Sequence, residues 1–587
     1  MIPRTSCAAC ELWYCCEAGP VSPGLDNGKR VARAGDIART LRTSIGSSVA
    51  TDLQIDFRPL PLVVASMATP ARDRARRLGF PHLQLVRNWR TMPAVLSKLE
   101  GGRMRKILIA SGVVAVALTF AVGALTAPSK DDLLKDEQHF YEQSQKTYEG
   151  GSKAGSAWNM EVVGHHNLGI RGFNADVWQY KGYAYVGHWG FQDWATGNSR
   201  FCPSPPDSGV AVIDARSPAN PTRVATLQNP AGTSAEDVVV FTEQSGPLVG
   251  RDIAVAGIQW CGGGRHDPAA AGHRGLKLWD VTMPAAPVQL GFLDTGCCTR
   301  GVHEFEVEYR ADLGRTYAYA TVPAGSYPDS ENPNGLRDAA GKGDFRLIDI
   351  TDPRAPSEVS TWKVQQAGGP FAAQGCDPDG NYGHGAEPSE DGKLVFLSYW
   401  DSGFIELDVT NPANPVFKGR TVYPANADGD GHSSQWDEAR NLLFTADEDF
   451  CKTSGSGIEK GYGYMRVYDY SNPAAPTQIG EYRTPNSLGT NDQAAGDFVI
   501  HNNFLVGTTV YSSWYTDGVR VIDTSNPRGP REVAYFVPPA TENPVKPSQR
   551  GVLTNTTQVW GVVVDEASGL VYASDMNSGL WILRRTD

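Results

Sequence analysis

Three histidines carry the clearest chemistry in this sequence. His303-Glu304, His384 and His432 each stand just before, or at the start of, a stretch that alternates like a β-strand. Several imidazoles with a carboxylate can hold Zn, Cu or Fe. His188 and Asp237 stand at comparable places in the preceding segments and can join the same set. A lone histidine at a strand start ordinarily caps a turn or bonds a neighbouring carbonyl, so it is the three together that point to a metal.

A second pattern overlaps the first. Residues Asn426, Asp428 and Asp430, with Gly431 at the sixth place and Asp437 at the twelfth, follow the spacing of a calcium loop, with oxygen ligands at alternating positions. The pattern departs in having Asn first, Asp last and polar Ser433 where an apolar residue is usual, and no helices flank it. His432 lies in both patterns, so both cannot be complete. Asp377, Asp379 and Asn381 form a looser echo in which Tyr382 replaces the needed glycine. Asp447-Glu448-Asp449 is read as a solvated acidic run.

Six cysteines follow residue 103: Cys202, Cys261, Cys297, Cys298, Cys376 and Cys451. An even count in an exported chain favours disulfides over metal ligation. Cys202 and Cys261 fall in equivalent loops of adjacent repeats and are expected to pair, Cys376 is expected to pair with one of Cys297 and Cys298, and Cys451 can take the remaining thiol. Trp189, Trp194, Trp260, Trp400, Trp514 and Tyr515 are expected to pack against one another rather than bind sugars. The sequence has no nucleophile elbow or dinucleotide fingerprint, and Gly262-Gly263-Gly264 opens no helix that would make it a phosphate loop.

What must position these residues is a repeat. VAVID (210–214), LKLWD (276–280), FRLID (345–349), FIELD (404–408), MRVYD (465–469) and VRVID (519–523) are each followed by a Pro-x-x-Pro reversal, and a truncated copy, LWILRRTD, covers 580–587. Alternation marks each pentad as a strand, and the Asp that ends it can cap the following turn through its side chain. Two strand signals precede each copy and one follows it. Four strands per unit of 54 to 69 residues predict an all-β, seven-bladed β-propeller. The last copy lacks its outer strand, and Trp158–Gly164 has that pattern with no blade of its own. It is expected to pair with the C-terminal strand and close the ring, which removes an exposed sheet edge.

The pentads resemble the LVIVD-repeat family of bacterial exported and cell-surface proteins. The resemblance covers nearly all of 158–587 and implies a β-propeller outside the cytoplasm. It brings no activity to carry over.

Ahead of the repeats, Met104-Arg105-Lys106 and the apolar run Ile107–Leu125 have the anatomy of a secretory signal peptide, with a membrane anchor as the alternative. Residues 1–103 hold 15 Lys and Arg against 8 Asp and Glu, a net +7 in a chain of −12, so the body carries −19. The purine-rich codons required by Glu100-Gly101-Gly102 suit a ribosome-binding site before Met104, so 1–103 reads as a mis-assigned upstream extension. Cys7, Cys10, Cys15 and Cys16 lack a second Cys/His pair at finger spacing. Residues 128–157 read as a polar linker. An acidic body argues against nucleic acid and against anionic membrane surfaces. The expected function is non-catalytic binding of a protein, glycan or small molecule through the loop-rich face, with a metal-dependent hydrolase or oxidase as the alternative, and calcium or a transition metal as the cofactor.

Overall fold

The computed structural model describes residues 155–587 apart from 194–197, 207, 262–267, 297–298, 324–341, 370–381, 425–426, 428, 451–460, 489–495 and 542–555. The described chain is all-β, with three short 3-10 turns and no α-helix among the described residues. Its strands form antiparallel four-stranded modules in chain order, each with the repeated pentad as its third strand. The module around FRLID, for example, runs Phe305–Arg310, Arg315–Thr321, Phe345–Asp349 and Ser357–Trp362. The first two modules join through one pair, His188 opposite Ala235.

The pentads end as their sequence predicts. Asp214, Asp280, Asp349, Asp408, Asp469 and Asp523 each accept a hydrogen bond from the backbone N–H two residues on, at 2.8 to 3.1 Å. In every copy the register between pentad and outer strand shifts by one residue near the fourth pentad position, as between Leu347 and Ile348. Such bulges tighten the local twist.

Apolar side chains of consecutive modules meet in shared clusters. Tyr319, Leu347 and Trp362 pack with Val395, Leu397 and Ile405 of the next module. Ala184, Val186 and Ile213 of the first module pack with Tyr572, Leu580 and Ile582 of the last.

Met160–His166 pairs antiparallel with Gly579–Arg585, Met160 opposite Arg585 and His166 opposite Leu580. Trp158 does not belong to that strand. Ser156–Trp158 instead adds a fifth strand to the sheet of Arg531–Val537. The break falls at Asn159, whose φ of 51° turns the chain and whose side-chain amide donates to the Val533 carbonyl at 2.9 Å. Asn tolerates this left-handed region better than most residues, and the alternation of 158–164 carried no sign of the turn. Among the described residues no helix is long and apolar enough to cross a membrane. The signal segment, the upstream extension and all but the end of the linker lie outside the described residues.

Candidate metal centre

Each module begins at its innermost strand, and in four consecutive modules a histidine stands at the entry. His384 and His432 are the second residues of Gly383–Pro388 and Gly431–Asp437, while His303 and His501 each lie two residues before their strands. His384 and His432 sit at register shifts in their strands. A bulge re-aims one side chain without ending the strand, which is how adjacent positions here come to serve different surroundings. Gly385, after His384, is required by space, since a Cβ there would lie 2.7 Å from Glu304 Oε2 and 2.9 Å from the His432 carbonyl.

The four imidazoles form a continuous arc. His303 Nε2 and His384 Nε2 lie 2.6 Å apart, and ring centroids are 4.1 Å apart for His303–His384, 4.0 Å for His384–His432 and 4.0 Å for His432–His501. Carboxylates are set among them. Glu304 lies 3.5 Å from both His384 Nδ1 and His432 Nε2, and Glu448 lies 3.5 Å from His432 Nε2 and 3.9 Å from His501 Nε2. Two sets bring one ligand atom per residue within 4.8 Å of one another: Glu304, His432 and His501, and His384, His432 and Glu448. All four histidines are at most 5% exposed, so bulk water does not reach the cluster.

Groups behind the cluster orient it. His303 Nδ1 lies 2.9 Å from Glu236 Oε2 and 2.5 Å from Gln259 Nε2, while Gln259 also donates to Glu236 at 2.8 Å. Holding Nδ1 from behind leaves Nε2 facing forward, the usual outer arrangement of a metal-binding histidine. Tyr515 donates its hydroxyl to Glu448 Oε1. Trp560, at the matching place of the last module, stacks on His501 with centroids 4.4 Å apart, and Trp400 lies 5.3 Å from His384.

Burial sets the charge state. It holds all four histidines well below the ordinary imidazole range, and the neighbouring Arg300 and the other imidazoles add to this where they face the ring. The rings are therefore neutral, as metal ligands must be. Burial also pushes Glu236 to about 7 and Glu448 to about 8, and it raises Glu304 well above the carboxylate range with help from Asp176, Asp237, Glu236 and Glu448.

His303, Glu304, His384 and His432, named from the sequence, thus come together. His188 is buried in its strand but outside the two ligand sets, and Asp237 accepts the Phe305 N–H at 2.9 Å. The calcium-loop pattern is corrected. Gly431–Asp437 is an extended strand, so at about 3.3 Å per residue Asp430 and Asp437 are separated by roughly 20 Å. Asp437 instead binds Arg440 Nε at 2.6 Å, His432 turns into the imidazole arc, and the Asp430 carbonyl accepts the Glu448 N–H at 2.7 Å. Asn426 and Asp428 lie outside the described residues, as do Asp377, Asp379 and Asn381. The run Asp447-Glu448-Asp449 is buried rather than solvated. Cys202 and Cys261 form the expected disulfide. Cys297, Cys298, Cys376, Cys451 and Trp194 fall outside the described residues. Trp189, Trp260, Trp514 and Tyr515 are buried.

His501 and Glu236 were not singled out from the sequence, and Glu448 was marked only as part of an acidic run expected to be solvated. His501 precedes its strand just as His303 does, and aligning the modules on their pentads is the signal that would have found it. Nothing local marks Glu236.

Fold and cluster together define a propeller-type β-sheet repeat protein with a buried imidazole and carboxylate centre. The LVIVD repeat family model matches residues 391–422, which span FIELD and its flanking strands, so the chain carries an LVIVD repeat there. Among solved structures, the chain is similar to the computationally designed Ika8 protein, at 8% identity with TM-score 0.37, over 72% of this chain and 98% of that one. It is also similar to a chain of the Mitotic Checkpoint Complex, at 10% identity with TM-score 0.38, over 74% and 91%. No curated protein matches it.

Proposed function

We propose that this chain is an exported seven-bladed β-propeller whose clustered histidines hold one transition-metal ion, Zn, Cu or Fe. The observation that carries this reading is the convergence of His303, His384, His432 and His501 from four consecutive modules into a site shut off from water. Neutral imidazoles suit these metals, and Glu304 and Glu448 stand ready as further ligands or as charge balance. Closure of the ring is supported by the pairing of Met160–His166 with Gly579–Arg585 and by the apolar cluster shared by the first and last modules. The plan is an upstream extension to 103, a signal peptide or anchor at 104–127, a linker at 128–157 and the propeller at 158–587. The signal-like segment, the LVIVD repeat and the Cys202–Cys261 disulfide favour a site of action outside the cytoplasm.

An ion at the arc would brace four modules beneath their connecting loops, which suits non-catalytic binding of a protein, glycan or small molecule on that face. One observation favours a metal-dependent hydrolase or oxidase instead. Asp237, pushed up to about 7 by burial, lines a cavity to which Glu304 also belongs, so a carboxyl able to exchange a proton near neutral pH adjoins the imidazoles. Elemental analysis of the purified chain tests the shared premise. One transition-metal ion per chain is expected, lost from His384→Gln plus His432→Gln with the thermal transition retained. A metal-free native protein, or a double variant that keeps its metal, rejects the reading.

A further inference from the structure

Beside the imidazole arc lies a second site of different chemistry. A cavity of about 240 Å³ is walled by the innermost strands of successive modules, and Asp176, Asp237, Glu304, Glu306, Glu308 and Glu387 all line it. No Lys, Arg or His is among the lining residues. The remaining polar lining is hydroxyl and amide, from Ser433, Ser434, Gln435 and Asn502 among others. Every strong donor to a metal here is therefore oxygen, whereas the neighbouring arc is rich in nitrogen.

Acidic residues alone would prove nothing, since protons can neutralise them. The cavity also presents acceptor oxygens with nothing to accept. Ser434 Oγ, on a residue 5% exposed, and Asn502 Oδ1 take part in no hydrogen bond, whereas Glu304 Oε1 faces His432 Nε2 at 3.5 Å. Ser434 stands in Gly431–Asp437 and Asn502 immediately before Asn503–Val506, so the two reach the same space from different modules. Leaving buried polar atoms unpaired is costly.

We infer that this cavity holds a hard divalent cation of the calcium or magnesium class, bound through Asp237, Glu304, Glu306, Glu387 and the Ser434 hydroxyl. Oxygen-only surroundings select such ions over the transition metals suited to imidazole. Among the described residues no three of these carboxylates bring ligand atoms within 4.8 Å of one another, so the ion keeps part of its water shell. The volume allows that, since six waters occupy about 180 Å³ at roughly 30 Å³ each. Glu304 borders both sites.

The site does not depend on metal at the imidazoles, and the test keeps them apart. Trp178 lines the cavity, so Tb³⁺ bound there is sensitised by tryptophan excitation. Titrating Tb³⁺ into the full chain is expected to give saturable sensitised emission that Ca²⁺ displaces. Glu306→Gln plus Glu387→Gln should weaken the titration by about tenfold or more, with the thermal midpoint unchanged or raised because two crowded carboxyls are replaced by neutral amides. The His384→Gln plus His432→Gln variant should titrate like the parent. Absence of saturable emission, insensitivity to the Glu→Gln pair, or loss confined to the histidine variant would each overturn the assignment.

Discussion

His432 touches two carboxylates, and each of them is held from behind by a different device. Glu304 is hemmed in by other acids, whereas Glu448 receives the Tyr515 hydroxyl and neighbours Asp447, which is itself neutralised by Arg466 at 2.6 Å. Arg466 and Asp447 are both almost wholly buried, so this pair keeps a fixed charge balance one residue from the site. Arg466→Met strands the Asp447 carboxylate and should cost about 3–5 kcal/mol in urea unfolding, and a second change, Asp447→Leu, should recover much of it. A cost under about 1 kcal/mol would mean the pair is not closed. The raised carboxyls bear on pH as well. An acid whose folded pKa lies above its unfolded one ionises first in the unfolded chain, so its contribution falls as pH rises toward the folded value. The buried histidines act oppositely, but their contribution is fully present above about 6.5. Between pH 6.5 and 8, then, the raised carboxyls dominate, among them Glu387 and Glu448 at about 8 and Glu236, Asp237 and Glu308 at about 7, and the metal-free protein should lose stability across that interval. Calorimetry at the two ends checks the sign, and a midpoint rising with pH would refute it.

In several outer strands the chain approaches the Pro-x-x-Pro reversal of the following module so closely that glycine is needed at the contact. A Cβ at Gly419 would stand 1.8 Å from the Pro473 carbonyl, and one at Gly480 would stand 2.0 Å from that of Pro527. Gly164, on the N-terminal strand, meets the Pro218 carbonyl of the first module at the same 1.8 Å. Gly419→Ala should therefore destabilise the fold by about 1–3 kcal/mol, the range for forced overpacking. Gly164→Ala should cost a similar amount if the N-terminal strand completes the last module in solution. A Gly164→Ala protein with the parent's unfolding midpoint would mean that this contact is absent and the ring open. The turns at the pentad ends need no such partner, because Asp and the N–H it binds are two residues apart, which is why they could be read directly from the chain.

Clusters of apolar side chains lie between modules rather than within them, so stability accumulates from neighbour to neighbour, as in other repeat folds. The disulfide between Cys202 and Cys261 adds a covalent tie across the first two modules. Cys202→Ser plus Cys261→Ser should lower stability by about 4 kcal/mol, from the loop-closure entropy of a 59-residue separation; a loss below about 1 kcal/mol would place that constraint elsewhere. The amino-acid order by itself determined the strands, the capped turns and the repeat, because these depend on alternation and on contacts two residues apart, and the last copy's missing outer strand pointed to the N-terminal segment that pairs with it. It also drew His303, His384 and His432 toward one point. Only the tertiary structure brought in His501 and Glu236, buried the acidic run that holds Glu448, made Gly431–Asp437 of the calcium-like pattern a strand, and revealed the acid-lined cavity. Those features arise where modules distant in sequence face one another, and no spacing along a single module encodes which side chain will stand across the gap.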